Sequence, residues 1–74
     1  MNLVFGGDNM ITLKECRKKN NISIAKIAYI LGISQQLYKR IEEYECDIDI
    51  KTAVKFAIAT KTPIDEIIFF NPEI

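Results

Sequence analysis

The chain has 74 residues, 49% of them hydrophobic, and its ten basic and ten acidic side chains balance to a net charge of zero. This length suits one domain with one core, and the apolar content lies above that of disordered chains. No run of about 20 apolar residues indicates a transmembrane helix and no signal-peptide pattern is evident, so we expect a cytoplasmic protein.

Residues 1–9 differ in character from the rest of the chain. They hold a short apolar run, Leu3, Val4 and Phe5, followed by Gly6-Gly7-Asp8-Asn9, which is typical of a turn. One interpretation is a small hairpin in which Met10-Ile11-Thr12 returns as the second strand. The other is a translated leader upstream of a natural start at Met10. We therefore treat residues 1–9 as an extension and residues 10–74 as the folded domain.

Two helices are predicted in the first half of the domain. The first covers residues 12–20, where Leu13 and Cys16 are apolar at helical spacing. The second covers residues 24–31 and follows Ser23, a favourable N-cap residue. Its apolar positions, Ile27, Ala28 and Leu31, predict one buried face. Gly32 comes directly after it and suits a left-handed C-terminal position.

A third helix is predicted over about residues 35–44, with Ser34 as its N-cap. A helical wheel places its apolar side chains on one side, namely Leu37, Tyr38 and Ile41. The other side carries Gln35, Gln36, Lys39, Arg40 and Glu43. The outward face is therefore long, polar and rich in hydrogen-bond donors.

The second half predicts two more helices. Asp49 caps a fourth helix over about residues 50–60, with Ile50, Ala53, Val54 and Ala57 expected to face inward. A short fifth helix is expected to open with Thr62 as N-cap, Pro63 at its first position and Asp65 completing a capping box.

The chain ends in an apolar segment that a core of this size has difficulty covering. Its members are Ile64, Ile67, Ile68, Phe69 and Phe70. Exposed patches of this kind usually mark interfaces, so these residues are the predicted interface of a homodimer. The alternative is that Leu3, Val4 and Phe5 cover them within one chain.

The second and third predicted helices satisfy the pattern of a helix-turn-helix. Two helices that cross at about 90–120° share apolar residues, here Ile27, Leu31, Ile33, Tyr38 and Ile41, with a small residue at Ala28 and a turn at Gly32. The segments ISIAKIAYILGISQQLYKRIEEYE and DIKTAVKFAIATKTPIDEII resemble the Cro/repressor-type helix-turn-helix family over roughly residues 13–68. The resemblance implies an all-α bundle of five helices that binds operator DNA as a dimer. The ending TPIDEIIFFNPE is similar to that of very small dimeric repressors, which add a two-stranded sheet after the fifth helix.

By this resemblance the third helix is a recognition helix that enters the major groove of duplex DNA, as in a repressor-like transcription regulator. The base-reading positions would be Gln35, Gln36, Lys39 and Arg40, since glutamine suits adenine and basic side chains suit guanine. The phosphate contacts would come from Ser23, Lys26 and Ser34 near helix N-termini. Residues 12–40 carry seven basic side chains and one acidic one, which favours such a partner despite the zero net charge.

The sequence also departs from the family. Ile24 stands where the family usually has glutamine. The stretch Glu43-Tyr44-Glu45-Cys46-Asp47, with three acids, stands where an Asn-Gly turn with a basic residue is common. These departures favour an alternative, a protein-interaction module of antitoxin-like or anti-repressor type. Its contact surface would be the acidic segment 42–49 and the apolar C-terminal end.

Catalysis and metal binding are not expected. The chain has no histidine, and its two cysteines, Cys16 and Cys46, lie 30 positions apart without a CxxC motif, so we predict no zinc site. Two reduced thiols are the expected state, with a regulatory disulfide as the alternative. Glu42 and Glu43 are paired carboxylates, but they fall on an expected exposed helix end. We predict no enzyme activity, cofactor or small-molecule ligand.

Overall fold

In the computed structural model, residues 10–70 are described, and they form four α-helices with a short strand pair beside them. In chain order the elements are β1 (Ile11–Thr12), α1 (Leu13–Lys19), α2 (Ile24–Leu31), α3 (Gln35–Glu42), α4 (Ile50–Ala59), a 3₁₀ helix (Ile64–Glu66) and β2 (Ile67–Ile68). Within residues 10–70, no helix is long and apolar enough to cross a membrane. The extension 1–9 lies outside the described residues, so both of its interpretations stay predictions.

Side-chain caps set the starts of the helices. Three of the four predicted caps are confirmed: Ser23, Ser34 and Asp49 accept hydrogen bonds from the backbone N–H groups of Lys26, Leu37 and Thr52 at 3.0, 3.0 and 2.9 Å. A cap at the start of α1 was not predicted. Thr12 and Glu15 form a reciprocal capping box, so that α1 begins at Leu13, one residue later than expected.

Residues in the left-handed backbone region follow all four helices, and the one after α4 is Lys61 with φ +54°. Gly32 has φ +74° directly after α2, which confirms the predicted turn, and Asn21 has φ +57° after α1. Tyr44 has φ +62°, so the chain turns away two residues after α3, which ends at Glu42 rather than at 44. The hydroxyl of Tyr44 accepts a hydrogen bond from Leu13 N and donates one to Ile68 O, at 3.2 and 2.6 Å. These bonds hold the turned residue against the start of α1 and the end of β2.

The core lies between α1, α2, α3 and α4. It consists of Leu13, Cys16, Ile27, Ala28, Leu31, Tyr38, Ile41, Ile48, Ala53, Phe56, Ala57 and Ile67. This set confirms the predicted inward faces of α2 and α3, with Leu37 as the exception. Phe56 is completely buried and meets Phe69 edge to face, with ring centres 6.3 Å apart. Small residues at Ala53 and Ala57 accompany it on the face of α4 that packs against α2.

The predicted inward face of α4 was wrong at two positions. Ile50 is 77% exposed and Val54 is 42% exposed, whereas Phe56 takes the central core position. Because a helix turns about 100° per residue, burying Phe56 with Ala53 and Ala57 directs Ile50 and Val54 outward. Burial of Phe56, the one aromatic residue of α4, therefore determines how this helix is rotated about its axis.

The prediction of a fifth α-helix was wrong, because residues 64–66 form only a single 3₁₀ turn. Thr62 does not cap it. Its hydroxyl points into the core, where it donates to Thr60 O at 3.0 Å and accepts from the Cys16 thiol at 3.3 Å. The following β-branched residues favour extended backbone, and Ile67 adopts it with φ −100° and ψ 133°.

A two-stranded sheet is present, but only one of its strands follows the 3₁₀ turn, whereas the other precedes α1. β1 and β2 pair in parallel, with Ile11 opposite Ile67 and Thr12 opposite Ile68. Ile67 is 4% exposed and belongs to the core, which corrects its assignment to a dimer interface. Its burial follows from this pairing, since the side chain is directed toward the helices. Ile68 and Phe69 are half-buried, whereas Ile64 and Phe70 are exposed at 41% and 64%.

Candidate nucleic-acid interface

The outer face of α3 carries the polar residues that the sequence singles out. Gln35, Gln36, Lys39 and Arg40 are all exposed. Ser34, Gln36, Leu37, Lys39 and Arg40 line one open surface groove, and Gln35 lies beside it in the first turn. The face thus offers two carboxamides and two cations within about two turns of helix. Such a row can donate hydrogen bonds to acceptors that lie along a groove.

The inner face of α3 is fixed to α1 by a buried charged network. Arg17 donates from Nε to Glu42 Oε2 at 2.7 Å and from Nη2 to Oε1 at 3.3 Å. Tyr38 also donates to Glu42 Oε2, at 2.7 Å. The remaining Arg17 donor, Nη1, bonds Ile22 O at 2.9 Å. Because three groups from two helices meet at one carboxylate, the orientation of α3 relative to α1 is closely defined.

The prediction that Glu42 lies on an exposed helix end was wrong, since Glu42 is only 5% exposed. Arg17, one of the seven basic residues counted above, is 7% exposed and neutralises it. Within residues 10–70, every buried side-chain nitrogen and oxygen has a hydrogen-bond partner. The ion pair between Arg17 and Glu42 could not be predicted from the sequence, because the two residues lie 25 positions apart and Glu42 adjoins the exposed Glu43.

The ionisation of this network follows from its contacts. Burial acts to raise the pKa of Glu42, but the hydrogen bonds from Arg17 and Tyr38 outweigh it, and the pKa falls below the ordinary 4.5. The hydrogen bond to Glu42 raises the pKa of Arg17 further. Burial, followed by the bond to Glu42, raises the pKa of Tyr38 far above 10.0. At neutral pH the network is therefore an ionised pair with a neutral phenol attached.

Leu37 also borders the candidate interface, although the sequence predicts it on the core side of α3. The structure leaves it 37% exposed, and it lines the same groove as Gln36 and Arg40. An apolar side chain among polar ones on this face suits contact with a thymine methyl group. Its position three residues before Arg40, which places both on one side of α3, was the available signal.

The three predicted phosphate residues lie at two helix starts. Ser34 is part of the groove on α3, whereas Ser23 and Lys26 are exposed at the start of α2. The oxygens of both serines accept capping hydrogen bonds, which leaves each hydroxyl proton free to donate. The structure therefore brings Ser34 together with the base-reading candidates and places the other two on the preceding helix.

Acidic side chains border the groove. Arg40 Nε lies 3.9 Å from Glu45 Oε1, and Lys14 Nζ lies 4.0 Å from Glu43 Oε2. All four side chains are more than half exposed, so these contacts contribute at most about 1 kcal/mol each. An anionic ligand can displace them at little cost.

The two cysteines lie in different environments. Cys16 is buried and Cys46 is half-buried, and both are free. Over the part of the chain that the structure describes, no three metal-ligating side chains of the His, Cys, Asp and Glu type lie together.

Comparison with known protein families gives a match that covers the helices. A family model described as helix-turn-helix matches residues 13–67, about three-quarters of the chain, from the start of α1 to the start of β2. A search among curated proteins found no match.

Proposed function

The chain belongs to the Cro/repressor-type helix-turn-helix family of DNA-binding regulatory domains, and from this premise we propose that it is a sequence-specific transcription regulator that binds duplex DNA as a homodimer. The observation that supports it best is the outer face of α3. Exposed Gln35, Gln36, Lys39 and Arg40 point away from a core-facing side that is fixed to α1.

The mechanism is recognition by insertion of α3 into the major groove. Gln35 and Gln36 suit bidentate hydrogen bonds to adenine N6 and N7, and Lys39 and Arg40 suit guanine O6 and N7. Leu37 supplies an apolar contact for a thymine methyl. Ser23, Lys26 and Ser34 hold phosphates and fix the position of α3 on the duplex.

Dimerisation doubles the recognition surface. Two copies present two α3 helices to successive major grooves, about 34 Å apart along the duplex. A bound dimer then excludes polymerase from an overlapping promoter, and regulation is by occupancy. Zero net charge does not oppose this, because the basic residues are concentrated before residue 41.

Selection of bound sequences from a pool of random duplexes tests the proposal. We expect enrichment of a palindrome whose half-sites lie about one helical turn apart. Gln36→Ala should relax the preference at one base pair of each half-site, whereas Tyr29→Ala, on the exposed outer side of α2, should leave the selected sequence unchanged. Tyr29 is 83% exposed, so its replacement leaves the fold intact.

Absence of enrichment, together with no gel shift at low salt, would contradict the DNA-binding proposal. It would favour the alternative of a protein-interaction module that uses acidic segment 42–49. Glu43, Glu45, Asp47 and Asp49 of that segment are exposed, whereas Glu42 is held in the core.

A further inference from the structure

The outer side of α4 is apolar along its whole length. Ile50, Val54 and Ile58 follow one another at intervals of four residues and are 77%, 42% and 72% exposed. That spacing places them in one stripe on the helix surface. The opposite side of α4 already contributes Phe56 to the core. Because α4 is apolar on both sides, its outer stripe needs a separate explanation.

Two further residues extend this stripe into one surface. Ile64 is 41% exposed and borders two grooves, one shared with Val54 and Ile58, the other shared with Ile50 and Phe70. Phe70 is 64% exposed. We call this surface the α4 face; it consists of Ile50, Val54, Ile58, Ile64 and Phe70. Contiguous apolar surfaces of this kind mark interaction sites on small proteins.

The edges of the α4 face carry opposite charges. Lys51 and Lys55 lie on one edge of the stripe. Ile64 lies on the other edge, beside Ala53 and Ala57, and is followed in the chain by Asp65 and Glu66; Lys61 also borders this edge, which therefore carries two acids and one cation. Within residues 10–70, none of these charged side chains forms an ion pair. A two-fold axis that runs along α4 brings the basic edge of one copy against the acidic edge of the other. The face is therefore complementary to itself.

We propose that a second copy of this chain occupies the α4 face, with the two α4 helices side by side and running in the same direction. This inference rests on the proposed function, which requires a homodimer, and it identifies the surface through which the two copies associate. It replaces Ile67, Ile68 and Phe69 of the expected interface by the α4 stripe and keeps Ile64 and Phe70. The α4 face shares no residue with the groove on α3, so one copy and DNA can be bound together.

Sedimentation velocity on the full chain tests the interface without DNA. We expect the wild type to sediment at twice its 8.5 kDa mass at micromolar concentration. Ile58→Lys buries an uncompensated charge in the interface and should weaken self-association by about 30-fold or more. The matched control is Tyr29→Lys, which changes an aromatic residue on α2 that is 83% exposed and should leave the dimer unchanged.

Charge reversal tests the orientation. Lys55→Glu places an acid opposite Asp65 of the second copy and should weaken the dimer by about fivefold, and the double variant Lys55→Glu/Asp65→Lys should restore it. Failure of the double variant to restore association would overturn the parallel arrangement. Circular dichroism at low temperature confirms that each variant retains its helices.

Three other results would overturn the interface. They are a wild type that sediments at 8.5 kDa, an Ile58→Lys variant that stays dimeric, and a full chain that is monomeric while a chain starting at Met10 is dimeric. The last would show that residues 1–9 cover the face. Failure of the interface is separable from failure of DNA binding, because a monomeric Ile58→Lys protein that still shifts a single half-site retains the DNA-binding function.

Discussion

Neighbouring residues of one type can have opposite environments in this protein. Glu42 and Glu43 are adjacent acids, yet Glu42 accepts hydrogen bonds from Arg17 and Tyr38 in the interior while Glu43 is exposed. A buried charge keeps its ionised form only when its partners replace the hydration it has lost. The network therefore ties the stability of the fold to three side chains.

Replacement of one partner should be costly. Glu42→Gln removes the negative charge but keeps the shape, so Arg17 remains buried without a counter-charge. We expect the free energy of unfolding to fall by about 3 kcal/mol, near the lower end for a broken buried pair. Urea denaturation measures the change, and Glu43→Gln should alter it by less than about 0.5 kcal/mol. A loss below 1 kcal/mol in Glu42→Gln would show that Arg17 finds water or another acceptor.

The Glu42 carboxylate also makes the free energy of unfolding depend on pH. Its pKa lies below 4.5 in the folded chain and returns to the ordinary value on unfolding, so unfolding takes up protons at low pH. The stabilisation from this group is complete above about pH 5 and is lost as the pH falls through the folded pKa. Thermal denaturation from pH 7 to pH 3 should show a decline that is shallower in Glu42→Gln. Parallel declines in both proteins would assign the acid sensitivity to other carboxylates.

At the scale of the elements, local chemistry predicted where helices begin and tertiary contacts decided the rest. Caps at Ser23, Ser34 and Asp49 and the left-handed Gly32 act over a few residues, so they could be identified from the sequence. The rotation of α4 and the loss of the fifth helix depend on the burial of Phe56 and Thr62. Those contacts join residues that are far apart in the chain, so no local sequence pattern predicts them.

The candidate site could likewise be predicted only in part from the sequence. Outward placement of Gln35, Gln36, Lys39 and Arg40 follows from helical periodicity and agrees with their exposure. Leu37 was misplaced because a wheel cannot tell how far α3 tilts against its neighbours. Arg17 was counted with the surface cations because its partner is 25 positions away.

The turn between α2 and α3 offers a prediction about backbone geometry. A Cβ added at Gly32 meets no atom within 4 Å, so Gly32→Ala introduces no clash, but at φ +74° it forces a side chain into the left-handed region. We expect a loss of about 1 kcal/mol in the free energy of unfolding. Gly32→Asn should lose less, because asparagine tolerates this conformation better. Equal Tm values for the wild type and Gly32→Ala would contradict this account.

At the scale of the whole molecule, charge is segregated while its sum is zero. Seven basic residues precede residue 41 and five acidic residues occupy 41–50, but the pairing of Arg17 with Glu42 cancels one from each group. The remaining cations include Lys26 on α2 and both Lys39 and Arg40 on α3, all exposed. A duplex approaching α3 therefore meets a locally positive surface.

Salt dependence separates the proposed roles of these cations. Each phosphate contact releases counterions, so Lys26→Gln should weaken binding to all duplexes equally and reduce the slope of log affinity against log salt by about 1. Arg40→Gln should instead cost about 1–3 kcal/mol on the selected sequence and much less on random DNA, because it removes a base contact. Fluorescence anisotropy on selected and random duplexes from 50 to about 200 mM salt measures both quantities. If Arg40→Gln weakened both duplexes equally, Arg40 would be a phosphate contact, and base recognition would then depend on Gln35, Gln36 and Lys39.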